Sequence, residues 1–124
     1  IGTGSEVYLA VKAAEMLMNE GIKARVVSMP CLDWFEQQDD DYQNSVVPRD
    51  IKARVSVEAG LALSWWKLLG DAGQAVSLEH FGASAPAEEL FERFGITADA
   101  VVEAAKSLLL PCTRLPKEGH FDVY

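Results

Sequence analysis

The sequence predicts an α/β domain of three layers, in which helices flank a mostly parallel central sheet of about four to five strands. Residues 5–20 carry apolar side chains at helical spacing, Gly21 follows them, and residues 23–29 have the composition of a strand that stops at Pro30. A helix, a glycine turn and a strand form half of an α/β unit. The chain has 124 residues, 49% apolar and 24% charged, which suits one globular domain.

The first helix has an apolar face and recognisable ends. Thr3 or Ser5 is expected to cap it by accepting a hydrogen bond from an N–H group of the first turn. Gly21 suits the left-handed backbone that often follows a helix. The predicted buried face consists of Val7, Ala10, Val11, Ala14, Leu17 and Met18.

Residues 31–47 have no regular period, but they contain two helix starts. Asp33 could cap a short helix, and Asp39–Asp41 could open another, because carboxylates favour the positive end of the helix dipole. Residues 52–58 alternate and contain β-branched side chains, which predicts the second strand. Ala59–Gly60 then turns the chain into a helix.

Four further elements complete the predicted order. They are a helix over residues 61–69, a strand over residues 74–78, a helix that Pro86 begins and Gly95 ends, and a last helix capped by Thr97. The buried face of the last helix should contain Val101, Val102, Ala105, Leu108 and Leu109.

The predicted domain spans residues 1–109. Residues 110–124 include Pro111 and Pro116 and have no period, so an irregular, flexible tail is expected there. The chain starts without Met, and its first residues fit the end of a strand. We therefore interpret it as an N-terminally truncated piece of a longer chain.

Charge and cysteine content exclude several classes of function. The net charge of −8 argues against nucleic acids and anionic membranes as partners, because both prefer a basic surface. No run of about 18 apolar residues occurs, so no membrane span is predicted. Cys31 and Cys112 provide neither a disulfide framework nor metal-ligand spacing, and a reducing cytoplasm is the simpler location.

Gly2-Thr3-Gly4 before a helix is a partial match to a dinucleotide-binding loop. The complete pattern needs a third glycine so that the helix can approach the strand, and Val7 occupies that position. A plain strand-to-helix turn is therefore favoured, with a small nucleotide-binding α/β protein as an alternative.

Charged residues near predicted strand ends give further hypotheses. Glu58 would lie at the carboxyl end of the second strand, where it could act as a base or hold a cation, but an ion pair or bonds to loop amides are favoured. His80 beside Glu79 could be a tuned acid or base. No nucleophile lies at a recognisable spacing, so a surface or packing role is favoured for His80, and no role is assigned to His120.

Acidic, aromatic and thiol side chains elsewhere have simpler explanations than chemistry. Asp39–Asp41 could bind a hard cation, but consecutive helix residues point apart, so a solvated helix start is favoured. Of Trp65 and Trp66, one should pack in the core and the other in an interface. Cys31 is expected to be an inert, partly buried thiol. The residues alone thus predict an α/β domain without a complete active site.

Four stretches carry a resemblance to a known family. They are Gly-Thr-Gly-Ser-Glu-Val at 2–7, Val-Val-Ser-Met-Pro at 26–30, Ala-Arg-Val-Ser-Val-Glu-Ala-Gly at 53–60 and Phe-Gly-Ala-Ser-Ala-Pro at 81–86. In this order and at these spacings they resemble the C-terminal domain of transketolase, over about residues 2–109. No single stretch is specific, but four in register are.

The resemblance implies a role inside a larger enzyme. Transketolases are cytoplasmic homodimers of the pentose phosphate pathway. They move a two-carbon ketol unit from a ketose phosphate to an aldose phosphate, using thiamine diphosphate and a divalent cation such as Mg²⁺. The resemblance assigns cofactor and metal to the other domains of the parent chain, so this chain should hold neither and should not catalyse alone. The alternative is a non-catalytic subunit-association module of a related thiamine-diphosphate enzyme.

The resemblance also suggests one substrate contact. Many transketolases have Tyr-Arg where this chain has Tyr42-Gln43, and that arginine binds the terminal phosphate of the sugar substrate. A neutral amide lacks the charge assistance, at a cost of about 1–2 kcal/mol. Either Gln43 makes a weaker bond to the phosphate, or other domains hold it. No catalytic, cofactor-binding or metal-binding residue is predicted in this chain.

Overall fold

A parallel pair of short strands lies at the centre of the structure, a computed structural model that describes residues 1–110. Strand β1 (Val55–Val57) runs beside strand β2 (Gln74–Val76), with Ser56 opposite Ala75. β-branched valines at both ends of β1 suit the pleated backbone of a buried strand. The strand predicted over residues 74–78 therefore ends two residues early.

Two further segments extend this pair without forming regular strands. Gly2 makes parallel bridges both to Val57 of β1 and to Ser28. Four parallel segments therefore lie side by side, in the spatial order 27–29, 1–2, β1 and β2. This order places the first segment of the chain in the middle of the sheet.

The predicted sheet of four to five strands is realised, within residues 1–110, as two strands and two bridged segments. The strand expected over residues 23–29 contributes only Ser28 to a bridge, and the strand expected over residues 52–58 is paired only from Val55 onward. The segment between them begins at Ile1, so the first half of each expected strand has no bridge on that side, although the Arg54 carbonyl accepts the Gln74 N–H on the other side.

α-Helices cover both faces of the sheet. They are α1 (Val7–Asn19), α2 (Leu32–Glu36), α3 (Asp40–Val46), α4 (Trp66–Leu69), α5 (Ala87–Arg93) and α6 (Ala98–Leu109). Short 3₁₀ turns lie at Gly4–Glu6, Ala62–Trp65 and Gly70–Ala72. In the part of the chain that the structure describes, no helix combines the length and the apolar character needed to cross a bilayer.

Two apolar clusters lie on opposite faces of the sheet. Val57 and Val76 pack with residues of α1 and α6, whereas Ala75 and Val27 pack with residues of α2 and α4. Val76 and Ala75 are consecutive strand residues, so their side chains point to opposite faces. The result is the three-layer α/β arrangement that the sequence predicts.

The buried face of α1 includes Ala10 and Leu17, as predicted, but it is rotated relative to the predicted face. Ala10, Ala13 and Leu17 are buried, whereas Val11 and Met18 are 42% and 53% exposed. α1 packs along α6 as well as on the sheet. Small alanines let α6 approach closely, and this contact selects the alanine stripe over the bulkier one beside it.

Side-chain caps occur at two predicted positions. Asp39 accepts the Tyr42 N–H at 2.8 Å and begins α3, and Thr97 accepts the Ala100 N–H at 3.2 Å and begins α6. Neither of the caps predicted for α1 is used. The N-cap of the 3₁₀ turn, Thr3, makes no side-chain bond, because backbone bonds of that turn start the helix instead.

The other predicted helix ends are shifted slightly or confirmed. Pro86 is the N-cap of α5 rather than its first residue, and Asp33 lies inside α2 instead of capping it. Gly21 and Gly95 follow their helices with φ of 80° and 71°, a conformation that glycine adopts without strain. The tail predicted from residue 110 onward lies, from residue 111, outside the described residues.

Candidate functional site

The carboxyl ends of the four parallel segments meet at one edge of the sheet. This carboxyl edge consists of residues 3–6, 58–63 and 77–81, together with the chain after residue 29. After Gly2 the chain enters α1 on one face of the sheet, and after β1 it enters α4 on the other face. Two neighbouring segments that lead to helices on opposite faces of a sheet leave a crevice between them. Ligands of α/β proteins with open sheets tend to bind in such a crevice.

Glu58 follows β1 directly at the carboxyl edge. Its carboxylate accepts a hydrogen bond from Trp65 Nε1, and its backbone N–H donates to the Val76 carbonyl at 3.0 Å. Trp65 is only 4% exposed, so its indole N–H needs an acceptor inside the protein. The carboxylate therefore anchors a core side chain, rather than forming the ion pair or loop-amide bonds that the sequence favours.

Glu79 joins the turn after β1 to the chain after β2. Its Oε1 accepts the Ala62 N–H at 3.0 Å and the Ser77 hydroxyl at 2.7 Å. The bond from the Ala62 N–H has the larger effect and the bond from the Ser77 hydroxyl the smaller. Both lower the pKa of the Glu79 carboxyl below its ordinary value, because they stabilise the charged form. Glu79 is thus an ionised structural acceptor at neutral pH.

Glu6 is the residue of this edge that the sequence patterns miss. It is 8% exposed, and its carboxylate forms no hydrogen bond or ion pair with residues 1–110. Within residues 1–110, every side-chain nitrogen or oxygen that is fully shielded from solvent has a hydrogen-bond partner. The Glu6 oxygens have none, so they must reach the surface while the rest of the side chain is buried. Glu6 lies one turn before Ala10 and two turns before Ala13 on the same stripe, and this spacing is the signal that could have identified it.

Gly2, Thr3 and Gly4 form the strand-to-helix turn that the sequence favours. Gly4 has φ of 54°, and the Glu6 N–H donates to the Thr3 carbonyl at 3.2 Å. A Cβ placed on Gly4 would lie 3.9 Å from Glu6 Oε2. A carboxylate so close to the helix start would repel a diphosphate, which argues against nucleotide binding at this turn.

His80 has the packing role favoured from the sequence. Its side chain is exposed, with Nδ1 at 2.8 Å from the Phe81 carbonyl, and its ring packs edge-on against Phe94 at 4.7 Å between centroids. These contacts hold the loop after β2 against the end of α5. His120 lies outside the described residues.

The tryptophan pair is divided between core and surface, Cys31 is partly buried, and Asp39–Asp41 are exposed. Trp65 is in the core, whereas Trp66 is 49% exposed. Cys31 is a partly buried free thiol, and Cys112 lies beyond the described range. Asp39–Asp41 form the exposed start of α3, and residues 1–110 assemble no group of three or more His, Cys, Asp or Glu side chains able to hold a metal ion.

Gln43, the candidate substrate contact, lies on α3 and is half-buried. Its Nε2 donates to the Glu36 carbonyl at 3.1 Å and to the Gln38 carbonyl at 2.7 Å. Both amide hydrogens therefore satisfy carbonyls at the end of α2, which would otherwise lack partners. In this arrangement Gln43 fixes the turn between α2 and α3.

The charges around Gln43 are mostly negative or already paired. Arg49 bonds to Asp40 at 2.6 Å, and Lys67 bonds to Glu36 at 2.7 Å. Three consecutive aspartates begin the helix that carries Gln43. An anionic ligand would have to compete for these two cations.

The fold and its polar edge define a class of protein: an open parallel α/β domain whose carboxylates at that edge bind a loop N–H group and a core indole. Residues 1–97 match the family model described as "Transketolase-like TK C-terminal domain". The chain is 55% identical over 109 residues to Transketolase 2 of Vibrio parahaemolyticus serotype O3:K6 (strain RIMD 2210633). The chain belongs to the transketolase C-terminal domain family.

Solved structures agree with this assignment. The chain resembles transketolase from Leishmania mexicana with a TM-score of 0.76 and 44% identity, over 86% of this chain and 16% of that one. It resembles the Pichia stipitis transketolase complex with sedoheptulose-7-phosphate with a TM-score of 0.75 and 39% identity, over 87% and 16% of the two chains. The match to the Vibrio relative likewise covers 88% of this chain but spans only 16% of that relative's length.

Proposed function

We propose that the chain is the C-terminal domain of a transketolase, an enzyme that moves a two-carbon ketol unit from a ketose phosphate to an aldose phosphate. The observation that carries this proposal is the family match over residues 1–97, with 55% identity to a named transketolase. The chain spans 16% of that relative, so the reaction belongs to a longer parent enzyme. A subunit-association module of a related enzyme is not favoured, because the relatives are themselves named transketolases.

Thiamine diphosphate and Mg²⁺ would be held by other parts of the parent enzyme. Residues 1–110 do not fit them, because they assemble no donor set of three or more His, Cys, Asp or Glu for a cation. The turn after Gly2 has the Glu6 carboxylate beside it, where a diphosphate would need N–H donors. We therefore assign the domain a supporting role in the parent enzyme.

The supporting role would use the apolar side chains exposed at the carboxyl edge. Leu63 and Phe81 follow β1 and β2 and are 76% and 98% exposed, and Trp34, after the segment 27–29, is 71% exposed. Large apolar side chains exposed together favour an interface over open solvent. Other domains of the parent enzyme, or its second subunit in a homodimer, are the partners that we propose for this edge.

Gln43 is our proposal for a contact with the sugar phosphate. It supplies the side chain at the position where the family pattern has an arginine, and the Pichia stipitis transketolase is a complex with a sugar phosphate, sedoheptulose-7-phosphate. To bind phosphate, the amide would have to release the Glu36 or Gln38 carbonyl, because both hydrogens are in use. Any contact would thus be weaker than a charge-assisted one.

The parent enzyme would work in the cytoplasm. The free Cys31 thiol suits a reducing compartment, and the net charge of −8 does not favour nucleic acid or membrane partners.

A transketolase assay tests the proposed function directly. The 124-residue chain, supplied with thiamine diphosphate, Mg²⁺, a ketose phosphate and an aldose phosphate, should show no turnover and no cofactor binding. A parent enzyme containing the same residues should turn over under the same conditions, and its loss of residues 1–109 should weaken subunit association. Ketol transfer by the isolated chain would overturn the proposal.

A further inference from the structure

The side-chain amide of Gln43 is held in one orientation by two hydrogen bonds. Its Nε2 lies 3.1 Å from the Glu36 carbonyl oxygen and 2.7 Å from the Gln38 carbonyl oxygen. Only a nitrogen with two hydrogens suits this place, because an amide oxygen there would face two other oxygens. Both donors of the amide are therefore used inside the protein, and turning the amide round would break both bonds.

The amide oxygen of Gln43 is the group that remains able to meet a substrate. The side-chain hydrogen bonds of Gln43 within residues 1–110 both come from Nε2, so Oε1 accepts none there. Gln43 is half-buried, and in the same range no fully shielded side-chain oxygen of such a residue lacks a partner. Oε1 is therefore in contact with solvent. Position 43 thus presents acceptor lone pairs, and no free side-chain N–H, to an approaching molecule.

The charges near this acceptor disfavour an anion. Asp39–Asp41 are exposed and begin the helix that carries Gln43. Arg49 and Lys67 are each already paired with a carboxylate. A phosphate monoester carries a charge of about −1.5 to −2 at pH 7 and offers acceptor oxygens. Next to Oε1 it would meet another acceptor, close to a run of carboxylates.

A neutral hydroxyl fits the same place better. The terminal carbon of an unphosphorylated sugar carries an O–H group, which can donate one hydrogen bond. Oε1 accepts that bond without breaking either bond of Nε2. An acceptor placed for a substrate hydroxyl also discriminates against an analogue that has no donor there, because the acceptor is then left unpaired.

We infer that Gln43 selects substrates whose terminal carbon carries a free hydroxyl, so that the parent enzyme uses unphosphorylated aldoses as ketol acceptors. The inference rests on the proposed function and on the contact proposed for Gln43, and it specifies the chemical group that this contact recognises. The bonds broken and formed remain those of ketol transfer. The aldehyde end of the acceptor reacts, whereas its far end contacts Gln43.

The test compares D-ribose and D-ribose 5-phosphate as acceptors for the parent enzyme, at a saturating concentration of a ketose phosphate donor. For each variant, kcat/KM for each sugar is divided by the value for the unchanged enzyme, so that intrinsic differences between the sugars cancel. Gln43→Met removes the acceptor and should lower kcat/KM for D-ribose about fivefold, as expected for one neutral hydrogen bond. The value for D-ribose 5-phosphate should stay the same or rise.

Gln43→Arg is the second variant and does not depend on the first. A guanidinium can keep both bonds to the Glu36 and Gln38 carbonyls, and it places an N–H where the amide has Oε1. It should raise kcat/KM for D-ribose 5-phosphate at least about fivefold, because its bonds to phosphate are charge-assisted. Gln38→Arg is the matched control, and this exposed charge should change the preference between the two sugars less than about twofold.

Three results would overturn the inference. Equal losses for both sugars in Gln43→Met would give Gln43 only a structural role in the turn between α2 and α3. A larger loss for D-ribose 5-phosphate in that variant would mean that the amide holds the phosphate. Unchanged values for both sugars in Gln43→Arg would mean that position 43 meets neither terminal group. If the unchanged enzyme transferred no ketol unit to either sugar, the proposed function would fail, and this inference with it.

Discussion

Glu6, Glu58 and Glu79 lie at the same edge of the sheet but have different partners. Alternation in residues 52–58 is enough to place Glu58 at a strand end. It does not reveal the indole that Glu58 binds, because the Trp65 side chain reaches it only when α4 packs on the sheet. Residue positions are thus predictable here from local patterns, whereas hydrogen-bond partners depend on tertiary packing.

The lowered pKa of Glu79 predicts how the stability of the fold depends on pH. Its pKa is lowered in the folded state, so its contribution to stability is fully present above the unfolded value of 4.5 and is lost as the pH falls through the folded pKa. Glu79→Gln should therefore lower Tm at pH 7 but have a smaller effect at pH 3. The exposed Glu88→Gln is the control and should show no such difference; equal effects of Glu79→Gln at both pH values would contradict the prediction.

Gln43→Arg in the parent enzyme tests the phosphate contact. A guanidinium adds charge-assisted bonds worth about 1–2 kcal/mol, so KM for sugar phosphates should fall by about 5- to 30-fold. Gln38→Arg adds the same charge five residues away and should leave KM nearly unchanged. If Gln43→Arg leaves KM unchanged or raises it, Gln43 acts only through its bonds to Glu36 and Gln38. The sequence could suggest this position only through a family pattern, since those carbonyl partners come from the turn between two helices.

The start and most of the buried face of helix α6 could be predicted from short sequence patterns. Thr97 was recognisable as its cap and Val101 and Val102 as its buried face, because capping and helical spacing act within a few residues. Leu109 was expected to be buried but is 53% exposed. It lies at the last residue of the helix, past most of the surface that α1 and the sheet provide. The elements that pack against α6 thus determine how far its buried side chains extend along the helix. On α1, the packing elements likewise determine which side chains are buried.

Removal of the α6 cap gives a stability prediction. Thr97→Ala leaves the Ala100 N–H without its acceptor and should lower the free energy of unfolding by about 1 kcal/mol. Thr97→Ser keeps the hydroxyl and should be close to neutral. Urea unfolding of the three chains measures the difference, and an equal loss for both variants would show that the threonine methyl, not the bond, matters.

The glycine before this cap provides an independent prediction. Gly95 has φ of 71°, so Gly95→Ala should lower the free energy of unfolding by about 1 kcal/mol although its Cβ would meet open space. Gly82 has equally open surroundings and no left-handed backbone. Gly82→Ala should therefore be neutral in the same urea titration. A loss at Gly82 as large as that at Gly95 would count against the conformational explanation.

At the scale of the whole molecule, the α/β class and the three layers followed from the order of helices, glycines and strands. The number of paired strands did not, because a strand pairs only where another segment runs beside it, and the middle segment begins at Ile1. The two clusters that fill the faces of the sheet also explain why Trp65 is buried and Trp66 is not. Large apolar side chains remain exposed at the carboxyl edge, which is why we propose an interface there.

That edge gives a prediction for the parent enzyme. Leu63→Ser with Phe81→Ser should weaken subunit or domain association at least about tenfold, because apolar area leaves the interface. The isolated chain should keep its Tm, since both side chains are already exposed. Met18→Ser, an exposed apolar site at the far end of α1, is the control. Unchanged dissociation in sedimentation experiments would remove the carboxyl edge from the interface.

The central place of Ile1 and Gly2 also has a consequence during translation. Ribosomes release these residues first among those described, yet Val27 and Val57, their partners, emerge about 25 and 55 residues later. Until Val57 has emerged, only helices α1 to α3 can form from local contacts, and the edges of the nascent middle segment stay open. A chaperone that shields extended apolar segments would have its longest task at the very start of this domain.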